Sequence, residues 1–181
     1  MSPSGKDLHG QLPAAIDPIA LAEKGARLSG SLSLKGLARL AAACRSPAGQ
    51  VEVDLEFTRS EGGDVRLIIG TIRARVSLTC QRCLEEMDYE LRSEPRLVLL
   101  RPGESEEELP PEVDALTVDR PIVLSTLIED ELLLVMPMIP LHDLEHCPAR
   151  AFVSAGGRSE ADTESKPNPF ATLQRLKRDK H

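Results

Sequence analysis

Cys80-Gln81-Arg82-Cys83 ends a stretch with strand alternation, and far downstream His142-Asp143-Leu144-Glu145-His146-Cys147 follows a Pro-punctuated helical segment. These two clusters hold Cys80, Cys83 and Cys147 out of 4 cysteines, and His142 and His146 out of 4 histidines. Thiolates and imidazoles are the soft donors of tetrahedral zinc sites, so Cys80, Cys83, His142 and Cys147 form a candidate zinc set, with His146 as an alternative imidazole. Zinc is the one cofactor the sequence points to. A cysteine staple, or free thiols at a turn beside exposed histidines, remains open. A redox pair is a further alternative, but it requires a Cys-x-x-Cys that opens a helix in a βαβ unit, and this pair joins two strand-like segments. Cys44, in an Ala-rich stretch, reads as a small buried hydrophobe.

Other polar groups offer less. His142-Asp143 and Glu145-His146 have the form of acid/base pairs, yet no nucleophile, oxyanion-hole glycine motif or phosphate loop accompanies them. A solvated loop is the better reading, and no catalytic residue and no small-molecule substrate are expected. Glu129-Asp130-Glu131 reads as the acidic face of a helix. Arg73 and Arg75 share the polar face of a strand, with Arg66 nearby and Arg82 in the Cys turn. These four are candidate RNA contacts, against the equal alternative of ordinary surface charge balanced by Glu52, Asp54 and Glu56 across a sheet.

The elements that must position these groups are legible in the periodicity. Val51, Val53, Leu55 and Phe57 alternate with polar residues, which predicts a half-buried strand. Glu61-Gly62-Gly63-Asp64 predicts a hairpin turn. The returning strand places Val65, Leu67 and Ile69 on one face, then Ile72, Ala74, Val76 and Leu78, and the change of parity at Gly70 predicts a bulge. Met87, Tyr89 and Leu91, then Leu97 and Leu99, continue the strand pattern, as do Arg27 to Leu34 upstream and Ala115 to Val118 downstream. Asp17-Pro18 predicts a capped helix start, Leu37 to Cys44 a short helix, and Thr126-x-x-Glu129 a capping box opening a helix that Pro137 ends. The expectation is an α+β fold: an antiparallel β-sheet core with a few short helices and a flexible basic C-terminal tail. One domain spans 1–148, with a helical or irregular arm over 1–25, the sheet core over about 26–100, an acidic loop over 101–114 and a helix over about 124–136. Residues 149–181 make a flexible linker and a docking tail.

Composition narrows the partners. A net charge of -7 and a pI near 5.2 argue against a generally basic nucleic-acid binder, and 2% aromatic content with no Trp removes the usual platforms for stacked bases. Charge is segregated, however. Glu104, Glu106, Glu107, Glu108, Glu112, Asp114 and Asp119 crowd one segment, whereas Lys166, Arg175, Lys177, Arg178 and Lys180 crowd the end. In that tail Asn168, Pro169, Phe170, Leu173, Arg175, Leu176, Lys177 and Arg178 combine a stiff approach with apolar residues at helical spacing, the pattern of a segment that binds a partner. The alternative is a tail folded back on its own domain. No secretory signal is read at the start, and the apolar stretch around Leu132 to Ile139 is too short for a membrane span and is broken by prolines. A cytoplasmic protein with no membrane partner is expected, where metal binding outranks disulfide formation.

Cys80-Gln81-Arg82-Cys83, Glu129-Asp130-Glu131 with Pro137 and Pro140, His142 through Cys147, and Lys166-Pro167-Asn168-Pro169-Phe170-Ala171 ending in Leu176-Lys177 resemble the bacterial large ribosomal RNA subunit accumulation protein family, also called YceD-like. Asp17-Pro18 fits its opening, so the resemblance spans nearly the whole chain. The Ser/Gly-rich stretch before the tail departs mildly from it. The resemblance implies a small, non-enzymatic ribosome-biogenesis factor that supports synthesis, processing or stability of 23S ribosomal RNA, with no catalytic residues to carry over. Its implied partners are a 23S rRNA precursor, a large-subunit ribosomal protein, or both. Two rivals remain: a zinc-binding chaperone for a basic ribosomal protein without RNA contact, and a Cys-x-x-Cys thiol oxidoreductase.

Overall fold

Alternating apolar residues build the expected sheet. In the computed structural model, which describes residues 7–10, 12–60, 65–105, 109 and 113–151, strands β1 (Asp7–Gly10) and β2 (Ala15–Ile16) precede helix α1 (Pro18–Lys24) and strand β3 (Arg27–Ser33). Helix α2 (Ala38–Ala43), strands β4 (Gln50–Arg59), β5 (Arg66–Thr79), β6 (Glu86–Ser93), β7 (Arg96–Leu100), β8 (Asp114–Thr117) and β9 (Ile122–Val123), and helix α3 (Leu124–Leu134) follow. The hairpin turn Glu61 to Asp64, the acids Glu106 to Glu108 and Glu112, and the docking tail from Asn168 to Arg178 lie outside the described residues.

The main sheet runs β1-β3-β4-β5-β7-β8, with β6 also paired to β5, and β2 and β9 form a small second sheet. The class is α+β. Pairing is mostly antiparallel, but β1 beside β3 and β8 beside β7 are parallel, so the sheet is mixed at both ends of this order. The 14-residue β5 organises it: one edge meets β4 along Arg66–Ala74, and the other meets β7 at Arg66–Ile69 and then β6 at Ile72–Thr79.

Residues directly opposite each other share a face. Leu28, Leu55, Phe57, Ile68, Ile72, Val51, Ala74 and Leu91 are therefore one buried layer, and the opposite face carries Glu52 beside Arg73 and Arg75 beside Glu90. Each large side chain in that layer contributes roughly 1.5–3 kcal/mol by leaving water. Helix α1 packs on β4 and β5, and α3 on β5, β6 and α2.

Three expectations need correction. The register of β4 with β5 runs unbroken from Val51↔Ala74 to Arg59↔Arg66, so Gly70 is not a bulge; Arg66 and Ile68, rather than Val65, Leu67 and Ile69, face the core. What Gly70 provides is closeness: it has φ 154°, and a Cβ there would lie 2.1 Å from the Asp54 carbonyl oxygen. The Thr126 capping box does not form either. Helix α3 begins after Val123 with no side-chain cap, and Glu129 is used elsewhere. The N-terminal arm contributes a sheet strand, because four residues of β1 pair with β3. The α1 start is as expected: the Asp17 carboxylate accepts the Ala20 N–H at 3.0 Å, Pro18 opens the helix, and Gly25 at φ 60° closes it.

The chain divides into two units, Met1–His142 and Asp143–His181. In the second, residues Leu144–His146 form a single 3-10 turn, with the His146 N–H donating to the Asp143 carbonyl at 3.0 Å.

Candidate metal centre

Strand β5 delivers Cys80 at its end, where the chain must turn back toward β6. The turn is closed by the Leu84 N–H donating to the Cys80 carbonyl at 2.8 Å and the Cys80 N–H donating to the Glu85 carbonyl at 2.9 Å. To complete this reversal Leu84 adopts φ 63°, a left-handed conformation rare for a bulky residue. Wrapped in this way, the turn aims its N–H groups inward and carries Cys83 to the same side as Cys80.

The segment after α3 reaches this turn through backbone bonds. The Gln81 N–H donates to the Pro140 carbonyl at 2.8 Å, and the His142 N–H lies 3.4 Å from Cys80 Sγ. The His142 ring follows, its Nδ1 3.3 Å from Cys83 Sγ, while the Arg82 guanidinium reaches the His142 carbonyl at 3.5 Å. Proline is suited to position 140: it has no N–H of its own, and its carbonyl is the group the turn needs.

Cys80, Cys83, His142 and Cys147 each present one ligand atom, and all four atoms lie within 4.8 Å of one another. Cys80 and Cys147 are buried, and Cys83 and His142 half-buried. Ligands of tetrahedral zinc, at ~2.3 Å from the metal for sulfur, stand roughly 3.8 Å apart. Three sulfurs and one imidazole at this spacing thus fit a soft, four-coordinate cation, and the cluster could hold a metal.

The electrostatics favour the ligand form. Burial raises the Cys80 thiol, but the backbone N–H groups of Cys83, His142 and Arg82, followed by the Cys83 side chain, outweigh it and bring the pKa down to about 5. These donors favour the thiolate, the state that binds metal. None of the four cysteines is in a disulfide, and Cys44, whose thiol is raised by burial, stands outside the cluster.

The remaining sequence candidates lie apart from this centre. Exposed His146 is not among the four clustered donors, and Asp143 and Glu145 are also exposed. Arg66 is buried and pairs with Glu104, its Nη2 lying 2.7 Å and 2.6 Å from the two carboxylate oxygens, and Arg101 N–H donates to the same group. These bonds, led by Arg66, hold Glu104 below the usual carboxylate range. Arg73 and Arg75 are exposed on the outer face, where they line a shallow depression with Glu52 and Glu90. The proposed basic strip is thus interleaved with acids. Two contributors to the centre were missed in the sequence, the Pro140 carbonyl and the left-handed Leu84. A glycine at 84 would have signalled the turn; leucine hides it.

The class is now defined: a mixed-sheet α+β body whose strand-end Cys-x-x-Cys turn meets a His/Cys segment in a four-donor cluster. A family profile for "Large ribosomal RNA subunit accumulation protein YceD" matches residues 68–177. The chain is also 30% identical over 169 residues to the large ribosomal RNA subunit accumulation protein YceD of Haemophilus influenzae, covering 92% of this chain and 97% of that protein. This chain belongs to the YceD family. No solved structure matches it. No helix among the described residues is long and apolar enough to cross a membrane.

Proposed function

We propose that this chain is a cytoplasmic, non-enzymatic factor that supports accumulation of large-subunit ribosomal RNA by binding a 23S rRNA precursor or a large-subunit ribosomal protein. The name shared by the family and the Haemophilus relative supports the ribosomal role. The observation that carries the non-enzymatic reading is the closure of the cluster. Catalytic zinc keeps a position for water or substrate, whereas Cys80, Cys83, His142 and Cys147 would fill all four. The ion we assign is zinc, and its role is to fasten the Cys turn. Burial of Cys80 also weighs against the thiol oxidoreductase, which must present its attacking sulfur to a substrate.

In this reading the sheet body is the scaffold and the segment from Asn168 to Arg178 engages the pre-ribosomal partner. Arg73 and Arg75, with Arg82, touch phosphate where the acidic surface allows. The test is complementation of a strain lacking the gene, scored by the ratio of 23S to 16S rRNA and by gradient sedimentation. The full chain restores the ratio. A truncation after Ser165 keeps its thermal unfolding but no longer sediments with large-subunit precursors. Normal 23S levels in the deletion strain would overturn the proposal, and unchanged sedimentation of the truncation would remove the tail from it.

A further inference from the structure

Strands β6 and β7 lie end to end along one edge of β5 in a single register, with Ile72 opposite Ser93 and Ile69 opposite Arg96. Strand β8 covers the outer edge of β7, but among the described residues no strand pairs with the outer edge of β6. The sheet is thus one strand short along the 8 residues Glu86–Ser93. A bare edge of this length is a template for another extended chain.

Two backbone bonds fix which groups face the gap. The Cys80 N–H donates to the Glu85 carbonyl at 2.9 Å, and on the other edge of β5 the Arg45 N–H donates to the Ser77 carbonyl at 2.8 Å. Backbone direction alternates along a strand. Met87, Tyr89 and Leu91 therefore turn their N–H and C=O groups to β5, and Glu86, Asp88, Glu90 and Arg92 turn theirs outward. The side chains of these outward residues are exposed on the outer face, whereas Met87 and Leu91 are buried and Tyr89 half-buried in the inner layer. Glu86 is already engaged, accepting the Ser77 hydroxyl at 2.5 Å and lying 3.7 Å from the Arg45 guanidinium, and Arg92 pairs with Glu94 at 2.5 Å. Asp88 and Glu90 make no hydrogen bond or ion pair, although Arg75 stands opposite Glu90 in the register of β5.

We infer that β6 takes up an extended segment of a protein partner as an added antiparallel strand, one that alternates basic and apolar residues. Such a strand pairs its backbone with the outward groups of Asp88 and Glu90, so that its Lys or Arg side chains stand beside two uncommitted carboxylates. Its intervening residues fall next to Tyr89 and extend the apolar layer. A second copy is disfavoured, because antiparallel pairing of β6 with itself sets Asp88 on Glu90, or one of these acids on its own copy. RNA is disfavoured by the same carboxylates. The segment just before β8 carries Glu106, Glu107, Glu108 and Glu112 and has the wrong sign for this edge. The chain's own basic end spaces Phe170, Leu173 and Leu176 as a helix does and lacks the alternation. The inference deepens the binding role proposed above and rests on it, choosing a basic protein segment as the partner of this edge.

The probe is a fluorescein-labelled peptide alternating lysine and valine, titrated with the full chain and followed by anisotropy. Saturable binding is expected, and it weakens at least about tenfold in an Asp88→Lys/Glu90→Lys variant whose thermal unfolding is unchanged. That variant should instead take the matching glutamate/valine peptide. Methylating the lysine backbone nitrogens of the probe removes the donors that face β6 and should abolish binding by the wild type, whereas methylating the valine nitrogens, which face away, should spare it. Undiminished affinity in the double variant overturns the inference, as does binding of the lysine-methylated peptide, which would show attraction without strand pairing. Two further results reassign the occupant and also overturn it: self-association abolished by the double variant, or displacement of the probe by a synthetic copy of residues 166–181. Normal 23S levels in the deletion strain would sink the ribosomal role while leaving peptide binding intact, so the two failures are distinguishable.

Discussion

The Glu129 carboxylate, within α3, accepts the backbone N–H of Leu40 at 3.1 Å and so caps α2, a different helix. The same oxygen accepts the Arg39 N–H at 2.7 Å, and the other oxygen takes the Arg39 guanidinium at 2.8 Å. Helix α2 has Leu37 at its N-cap and no capping side chain of its own, so Glu129 satisfies N–H groups that would otherwise be orphaned. Glu129→Ala is expected to cost about 2 kcal/mol, lowering the melting temperature by roughly 4–8 °C at this chain length. A melt within a degree of wild type at neutral pH would show that the cap is dispensable.

The same carboxylate sets an acid limit. Burial alone would raise Glu129, but the bonds from Leu40 N–H, the Arg39 guanidinium and Arg39 N–H prevail and hold it below the ordinary range. A carboxyl depressed on folding contributes fully above its unfolded value, about 4.3, and loses that contribution as pH falls through the depressed folded value. Glu129→Gln should therefore differ most from wild type at neutral pH and converge with it in acid. Denaturant melts across pH measure this, and a constant difference would refute it.

Leu84 supplies a second handle on the Cys turn. Its left-handed backbone costs about 1–2 kcal/mol for a residue with a Cβ, and its exposed side chain adds little packing in return. Leu84→Gly removes the strain but loses about 0.5–1 kcal/mol to backbone entropy, leaving a small net gain. Leu84→Ile, β-branched, should be clearly less stable than either. The order Gly, Leu, Ile in urea midpoints is the expected result, and Ile equal to Gly would mean that the turn relaxes.

The sheet was legible because alternation is a short-range signal, and Val51 to Phe57 and Ile72 to Leu78 display it plainly. The parity reading failed at Arg66, because a cation enters the inner layer when a partner meets it; Glu104, distant in sequence, is that partner. The Thr126-x-x-Glu129 spacing misled for a similar reason. It suits a local cap, but the fold brings an uncapped helix within reach of Glu129, and the longer-range bonds form instead. The four donors that the structure gathers could be named from their chemistry alone. Their approach could not, since it depends on the Pro140 carbonyl and a strained Leu84.

Gly70 tests the unbroken register directly. A methyl group at this position would sit 2.1 Å from the Asp54 carbonyl oxygen and 2.9 Å from Leu55 Cα, both backbone atoms that cannot rotate away. Gly70→Ala must therefore separate β4 from β5 at the centre of the core layer. A loss of about 3 kcal/mol or more is expected, against less than about 1 kcal/mol for Gly36→Ala, where a Cβ meets nothing within 4 Å. Equal urea midpoints for the two variants would be incompatible with this pairing.

Metal removal is the remaining test, and the spare thiol makes it selective. Elemental analysis of the purified chain should find about one zinc per molecule. Cys80→Ser/Cys83→Ser should lose that zinc, whereas Cys44→Ser should keep it, because Cys44 lies outside the four-donor cluster. Structural zinc is bound so strongly that its loss, by mutation or by chelation, should lower the melting temperature by more than about 10 °C. The melt should also recover when zinc is restored to the chelated wild type but not to the double variant. A double variant that melts with wild type, or a Cys44→Ser variant that loses the metal, would dissolve the assignment of these four residues as one centre.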